Sequence, residues 1–290
     1  MSRRCLPALA AVLLSLAVLA AGCAQTSGSR GAAPTSAPSS AAPPKTGSPT
    51  PTGSSASRGA PTGSGTVTIE LWLTRDGTLA FTRRTRPATV ATTQLAIREL
   101  IAGPTAAERT AGVRTALPSG LTYTASVSGE VATVSFPRAF YDGGRDLARL
   151  RQAQVVYTLT QYPTVRKVGF QVSGEPAGWP VDRTEYADLL PAIVVTSPLI
   201  GQSVSSPVTI AGTANTYEAT VNVRILDASG TEIATGFTTA TCGTGCRGRY
   251  ATTLAYRVAA GQPGRIQVYE ISAEDGSRVK VVDIPVTLTP

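Results

Sequence analysis

Histidine is absent from the 290-residue sequence, and cysteine occurs only four times. Without histidine the chain cannot build Ser-His-Asp or Cys-His nucleophile systems, histidine acid–base pairs or histidine-containing zinc sites. Aromatic residues make up 6% of the chain and include two tryptophans, so platforms for stacking sugars are scarce. These absences remove the common routes to catalysis and favour a protein that is not an enzyme.

The motif search points the same way. Gly143-Gly144 is not followed by the Lys-Ser/Thr of a phosphate-binding loop. Two groups of acidic residues lie close in sequence: Asp182, Glu185 and Asp188, and Glu270, Glu274 and Asp275. The first group could offer oxygens to calcium, but it lacks EF-hand spacing, and Asp275-Gly276 is a turn signal. We therefore expect no cofactor, no bound metal and no small-molecule substrate, and an acid-only or metal-assisted enzyme is a minor alternative.

The net charge of +8 is concentrated near the amino terminus. Five bases precede the first acid, Glu70: Arg3, Arg4, Arg30, Lys45 and Arg58. The remainder of the chain therefore carries a net charge of only +3. No Lys/Arg cluster of the kind that binds nucleic acid occurs, so we expect no nucleic-acid partner.

The amino terminus has the pattern of an export signal. Two arginines precede the apolar run Leu6 to Leu19, which is shorter than the roughly 20 residues of a membrane span. Small residues and Cys23 follow, so the stretch LLSLAVLAAGC resembles a bacterial lipobox, although Ala20 stands where a branched aliphatic residue is usual. The resemblance implies that Cys23 is lipid-modified and becomes the first residue, anchored on the extracytoplasmic face of the membrane. The alternative is an ordinary secretory peptide or an uncleaved anchor.

Ala24 to Gly65 consists of Pro, Ser, Thr, Gly and Ala with a few polar residues and no large apolar side chain. Such a segment has nothing to bury, so we expect a disordered spacer.

From Thr66 the pattern predicts an α+β domain of order ββαββαβ. Alternating apolar residues predict strands, with a hairpin turn at Asp76-Gly77. Helical spacing predicts helices over Ala91 to Ala102 and Asp146 to Thr160. Because strands and helices do not alternate one for one, an α+β layer is favoured over a doubly wound sheet.

Two stretches of this domain carry a family resemblance: ELIAGPTAAERTAGVRTALPSG, Glu99 to Gly120, and QAQVVYTLTQYPTVRKVGFQVSG, Gln152 to Gly174. They resemble the GerM domain of sporulation and spore germination proteins over roughly Val67 to Gly174. The resemblance implies structural rather than catalytic motifs, and modules that associate side by side in the envelope.

From Ile193 onward, seven short apolar runs separated by turns predict an antiparallel β-sandwich. Three stretches carry a second resemblance: Ser197 to Gly230, Arg247 to Tyr256 and Val268 to Ser277. They resemble the immunoglobulin-like domain of bacterial spore germination.

Several side chains receive individual interpretations. Cys242 and Cys246 enclose Gly-Thr-Gly, and in an exported chain this pair predicts a structural disulfide; redox catalysis is the alternative. Trp179 is predicted to be packed, with sugar stacking as the alternative. Glu218 and Arg224 are a candidate ion pair across the sandwich.

The sequence thus predicts five segments: signal peptide 1–22, disordered linker 23–65, GerM-like domain 66–175, connector 176–191 and immunoglobulin-like sandwich 192–290. We expect a membrane-anchored protein that binds envelope proteins or itself. A cell-wall polymer or carbohydrate-binding lipoprotein is the alternative.

Overall fold

The computed structural model describes residues 65–290. The predicted signal peptide, the lipidation residue Cys23 and nearly all of the predicted linker lie outside the described residues. No helix within 65–290 has both the length and the apolar character of a membrane span.

The first half has seven main elements in the predicted order, with a short additional helix and a two-residue strand. They are β1 (Thr66–Arg75), β2 (Thr78–Pro87), α1 (Thr92–Ala102), α2 (Ala106–Thr110), β3 (Thr124–Ser128), β4 (Val131–Phe136), α3 (Arg145–Leu159), β5 (Lys167–Val172) and β6 (Glu175–Pro176). Strands β1 and β2 form an antiparallel hairpin, and β3-β4-β5-β6 form a second sheet. Strands β4 and β5 are parallel, because α3 carries the chain back between them.

Strand β1 is buried on both faces at its centre. Leu71, Trp72 and Leu73 are consecutive and all buried, which is the pattern of a strand covered on two sides. The Trp72 ring lies 5.3 Å from Phe81 on β2 and 5.1 Å from Tyr157 on α3. This aromatic contact ties the hairpin to the helix.

Side chains of α3 close the outer edge of β1. The backbone N–H of Trp72 donates to Thr158 Oγ1 at 3.1 Å, and Gln154 Nε2 donates to the Trp72 carbonyl at 3.0 Å. Two residues earlier on the strand, Gln161 bonds both the N–H and the carbonyl of Glu70 at 2.8 Å. Side chains of α3 and of the turn after it therefore replace the backbone groups of a neighbouring strand, and this edge is not open to strand addition.

The short helix α2 was not predicted, and a buried ion pair fixes it. Thr105 and Glu108 form a capping box at its amino terminus. The Glu108 carboxylate also receives both Nη groups of Arg84, at 2.6 and 3.0 Å, and both side chains are buried. Burial raises the pKa of Glu108, but hydrogen bonds from Arg84, Thr82 and the Thr105 N–H outweigh it, so the pKa is lowered.

The second half is a β-sandwich with eight strands, one more than predicted. The strands are β7 (Ile193–Ser197), β8 (Ser203–Ser205), β9 (Val208–Ala214), β10 (Thr220–Leu226), β11 (Glu232–Thr239), β12 (Gly248–Leu254), β13 (Gln262–Ile271) and β14 (Arg278–Thr289). One sheet has the order β11-β10-β13-β14-β8 and the other β12-β9-β7. The unpredicted strand is β8, which has three residues and therefore too few for a periodic pattern. The α+β domain followed by an immunoglobulin-like sandwich is thus confirmed.

Strand β7 contributes to two hydrophobic cores. Val194 packs in the core of the first half, whereas Ile193 and Val195 pack in the core of the sandwich. Ile200, just after β7, contacts both cores. Successive side chains of a strand point to opposite faces, so one strand joins the two halves directly. Arg75 adds a polar contact by donating to the Asp283 carbonyl at 3.0 Å.

Candidate functional site

Cys242 and Cys246 form a disulfide in the loop between β11 and β12, with their Cα atoms 5.7 Å apart. The enclosed loop is fastened to the segment between β9 and β10. The Thr244 N–H donates to the Thr216 carbonyl at 2.9 Å, and the Gly245 N–H donates to Asn215 Oδ1 at 3.0 Å. The disulfide therefore rigidifies one end of the sandwich.

The tight packing of this loop explains its first glycine. A Cβ atom on Gly243 would lie 2.3 Å from the Ala219 nitrogen, so no other residue fits without a backbone shift.

The acidic residues of the first group have local structural roles. Asp188 accepts two hydrogen bonds from Arg149 at 2.6 and 2.7 Å, which lower its pKa. Asp182 caps the 3-10 turn that follows it by accepting from the Thr184 N–H at 2.9 Å, and Glu185 is exposed.

The second acidic group is dispersed in the same way. Glu270 accepts from Lys280 Nζ at 2.8 Å and from the Tyr217 N–H at 3.1 Å. Asp275 bonds Ser277 within a turn, and this bonding lowers its pKa. Within residues 65–290, no three His, Cys, Asp or Glu side chains converge on a point where a metal ion could bind.

Two individual interpretations were wrong. Trp179 is not packed: the residue is 91% exposed and lies in a stretch without regular secondary structure. Arg224 does not pair with Glu218. Its guanidinium bonds Gln267 at 2.9 Å and Glu232 at 3.5 Å, which are cross-strand neighbours on the same sheet.

Strand β3 is an edge of its sheet, and nearly all of its residues are exposed. It joins β4 through a two-residue turn at Gly129-Glu130, where both φ angles are positive. In such a hairpin the residues that flank the turn form a hydrogen-bonded pair, and outward-pointing backbone groups alternate from there. The register therefore directs the N–H groups of Ala125 and Val127 away from β4.

A groove of about 850 Å³ lies where the first half meets the sandwich. Four arginines from three separate parts of the chain line it: Arg83, Arg183, Arg247 and Arg249. Sequence reasoning missed this cluster, because no local run of bases signals it and the fold alone brings its members together.

Two family models match the chain in succession. A model described as "Sporulation and spore germination" matches residues 71–178, and one described as "Immunoglobulin-like domain of bacterial spore germination" matches residues 192–277.

Solved structures are also similar. The tandem GerMN domains of the sporulation protein GerM from Bacillus subtilis share 16% identity with this chain at a TM-score of 0.38. The match covers 78% of this chain and 61% of that one, so the chain spans less than two thirds of the tandem structure. The first GerMN domain of the same protein shares 22% identity at a TM-score of 0.33 and covers 40% of this chain and 95% of that one. No match was found among curated proteins.

Proposed function

We propose that this chain, which joins a sporulation and spore germination domain to an immunoglobulin-like domain of bacterial spore germination, is a non-catalytic lipoprotein of the cell envelope. Cys23 carries the lipid, and the two domains bind other envelope proteins or further copies of the chain outside the membrane. The lipobox-like stretch before Cys23 and the lack of histidine in the whole sequence support this proposal. The functions named by the two family descriptions fit it as well.

The observation that carries the binding role is the open edge of β3. Its outward N–H and carbonyl groups are a template for one further strand. In the other hairpin of the same domain, the outer edge of β1 is not available in this way, because side chains of α3 and of the turn after it bond its backbone. Strand addition is therefore directed to β3 rather than to β1.

Crosslinking in intact cells followed by mass spectrometry tests the proposal. The native protein should fractionate with membranes and give crosslinked assemblies that contain β3. Cys23→Ala should move the protein to the soluble fraction. Val127→Pro removes an outward N–H without touching a β3–β4 hydrogen bond, so it should abolish the assemblies while the fold persists.

Val127→Ala retains the N–H and is the matched control. Recovery of monomer alone from the native protein, or equal assembly by Val127→Pro and Val127→Ala, would contradict the role of β3.

A second candidate function is binding of a cell-wall polymer or carbohydrate. The specific observation in its favour is Trp179, whose exposed indole is a free stacking surface. Sedimentation with purified peptidoglycan distinguishes the two functions. If the native protein sediments with peptidoglycan and Trp179→Ala does not, the result supports polymer binding. If the native protein does not sediment, the result supports protein binding.

A further inference from the structure

The groove at the domain junction has a large excess of positive charge. Among the described residues that line it, the only acid is Glu70, which lies 3.5 Å from Arg83. The other three arginines have no carboxylate within ion-pair distance in residues 65–290: Arg183, Arg247 and Arg249. The groove therefore holds three unneutralised guanidinium groups.

Arg183 is held in a fixed orientation by the first domain. Its Nε donates to Thr160 Oγ1 at 2.7 Å, and its Nη2 donates to the Tyr157 carbonyl at 2.8 Å. The guanidinium also lies over the Tyr157 ring, 5.0 Å from its centroid. Its Nη1 donates no hydrogen bond within residues 65–290, so the protein orients the group without satisfying it.

Arg247 is held in the same manner by the connector and the sandwich. Its Nη2 donates to the Pro191 carbonyl at 2.6 Å, and its Nη1 lies 3.4 Å from the carbonyls of Ala192 and Thr213. It directly follows Cys246 and directly precedes β12, so the disulfide fixes the segment that carries it.

Arg249 completes the cluster. It is two positions further along the chain, on β12, is exposed, and has no side-chain hydrogen bond within residues 65–290.

Partly buried cations that neutral carbonyls hold in place are costly unless an anion compensates them. Burial lowers the pKa of Arg183 and of Arg247, yet both stay charged at neutral pH. A guanidinium with free N–H groups is suited to planar, bidentate contact with a phosphate or carboxylate. Sites formed at domain junctions are also common positions for ligands.

From this geometry we propose that the groove is a binding site for an oxyanionic group, a phosphate or a carboxylate, held by Arg183, Arg247 and Arg249. The ligand enters between the two domains and contacts both. The site is distinct from the β3 edge and does not depend on strand addition.

Isothermal titration calorimetry of the full chain in detergent, at low ionic strength and without phosphate or sulfate in the buffer, tests this site. Pyrophosphate is the phosphate probe and citrate the carboxylate probe. At least one should bind saturably, with about one ion per chain. Arg249→Gln removes one charge-assisted contact without breaking a protein hydrogen bond, so it should weaken binding by about tenfold.

Arg257→Gln is the matched control. Arg257 is an exposed arginine of the sandwich outside the groove, and its loss should leave the affinity within about twofold if the effect is local. Arg183→Gln should abolish binding, with near-ultraviolet circular dichroism to establish that it is folded.

Competition shows the source of the oxyanion. Displacement of the probe by phosphatidylglycerol in mixed micelles with the same detergent indicates a lipid headgroup, and lack of displacement indicates a soluble ligand. No saturable binding of either probe, or equal loss of affinity in Arg249→Gln and Arg257→Gln, would overturn the proposal.

Discussion

The junction at β7 makes a quantitative prediction about how the two domains unfold. Val194→Ala removes two methyl groups that are 96% buried from solvent against the first domain, since the residue is 4% exposed. The lost transfer free energy is about 1.6 kcal/mol at roughly 0.8 kcal/mol per methylene-sized group. The added cavity, roughly 50 Å³, costs about 1.2 kcal/mol more at about 24 cal/mol per Å³. The total is about 3 kcal/mol.

We expect little repacking of neighbouring side chains into the cavity that Val194→Ala creates. A cavity of about 150 Å³ already lies beside Val194 at the junction. The side chains that line this cavity do not pack into it, so we expect them not to collapse into the new space either.

The two tryptophans, Trp72 and Trp179, both precede the sandwich, so tryptophan fluorescence reports on the first domain. Far-ultraviolet circular dichroism reports on the secondary structure of both domains. In urea, the two signals of the native chain should change together, and in Val194→Ala the fluorescence transition should move to lower urea and separate from the other.

Val195→Ala makes the same deletion one residue later, on the opposite face of β7. It should weaken the sandwich first, so the order of the two transitions reverses. Coincident transitions in both variants, or a loss below about 0.5 kcal/mol for Val194→Ala, would refute the reasoning about shared packing.

Three further outcomes are expected. Glu108→Gln should lower the free energy of unfolding, measured in urea, by about 3 kcal/mol, because it leaves Arg84 buried without its counter-charge. Glu130→Gln, which removes one partner of an exposed ion pair, is the control and should leave the urea midpoint unchanged. Folding lowers the pKa of Glu108, so the ionised carboxylate stabilises the folded state fully above about pH 4.5. This contribution to the free energy of unfolding is lost as the pH falls through the native pKa. Glu108→Gln should therefore lose that part of the acid sensitivity. The double variant Cys242→Ser, Cys246→Ser should lose about 2 kcal/mol of unfolding free energy, the modest entropy of a five-residue loop, measured against the native protein without reductant.

Local patterns in the sequence were sufficient for most elements of the fold. Alternation in β1 and helical spacing in α1 and α3 gave strands and helices within a few residues of their observed ends. Helix α2 could also have been found, because Thr105 and Glu108 have the Ser/Thr-x-x-Glu spacing of a capping box. Its five residues are too few for a periodic signal, and the Gly/Pro residues around it indicated a loop.

Features that depend on distant residues were not predictable in this way. Gln154 in α3 and Gln161 just after it are polar residues, and only the fold shows that they bond the backbone of a strand over 80 residues away. The arginine groove is similar, because Arg183 lies in the connector and Arg247 in the sandwich, 64 residues later. Trp179 was misjudged because large aromatic side chains are usually buried, and a local pattern does not reveal an exposed one.

The shared strand β7 also bears on how such proteins can be recombined. A sandwich cut from the chain at residue 192, where the second family match begins, would carry Val194 bare on its surface. The first domain alone would lose the same residue from its core. A one-residue insertion within β7 would turn the side chains that follow it to the opposite faces. The two domains therefore cannot be exchanged independently. A chimaera that replaces one of them must keep an apolar surface that packs against β7 of the other.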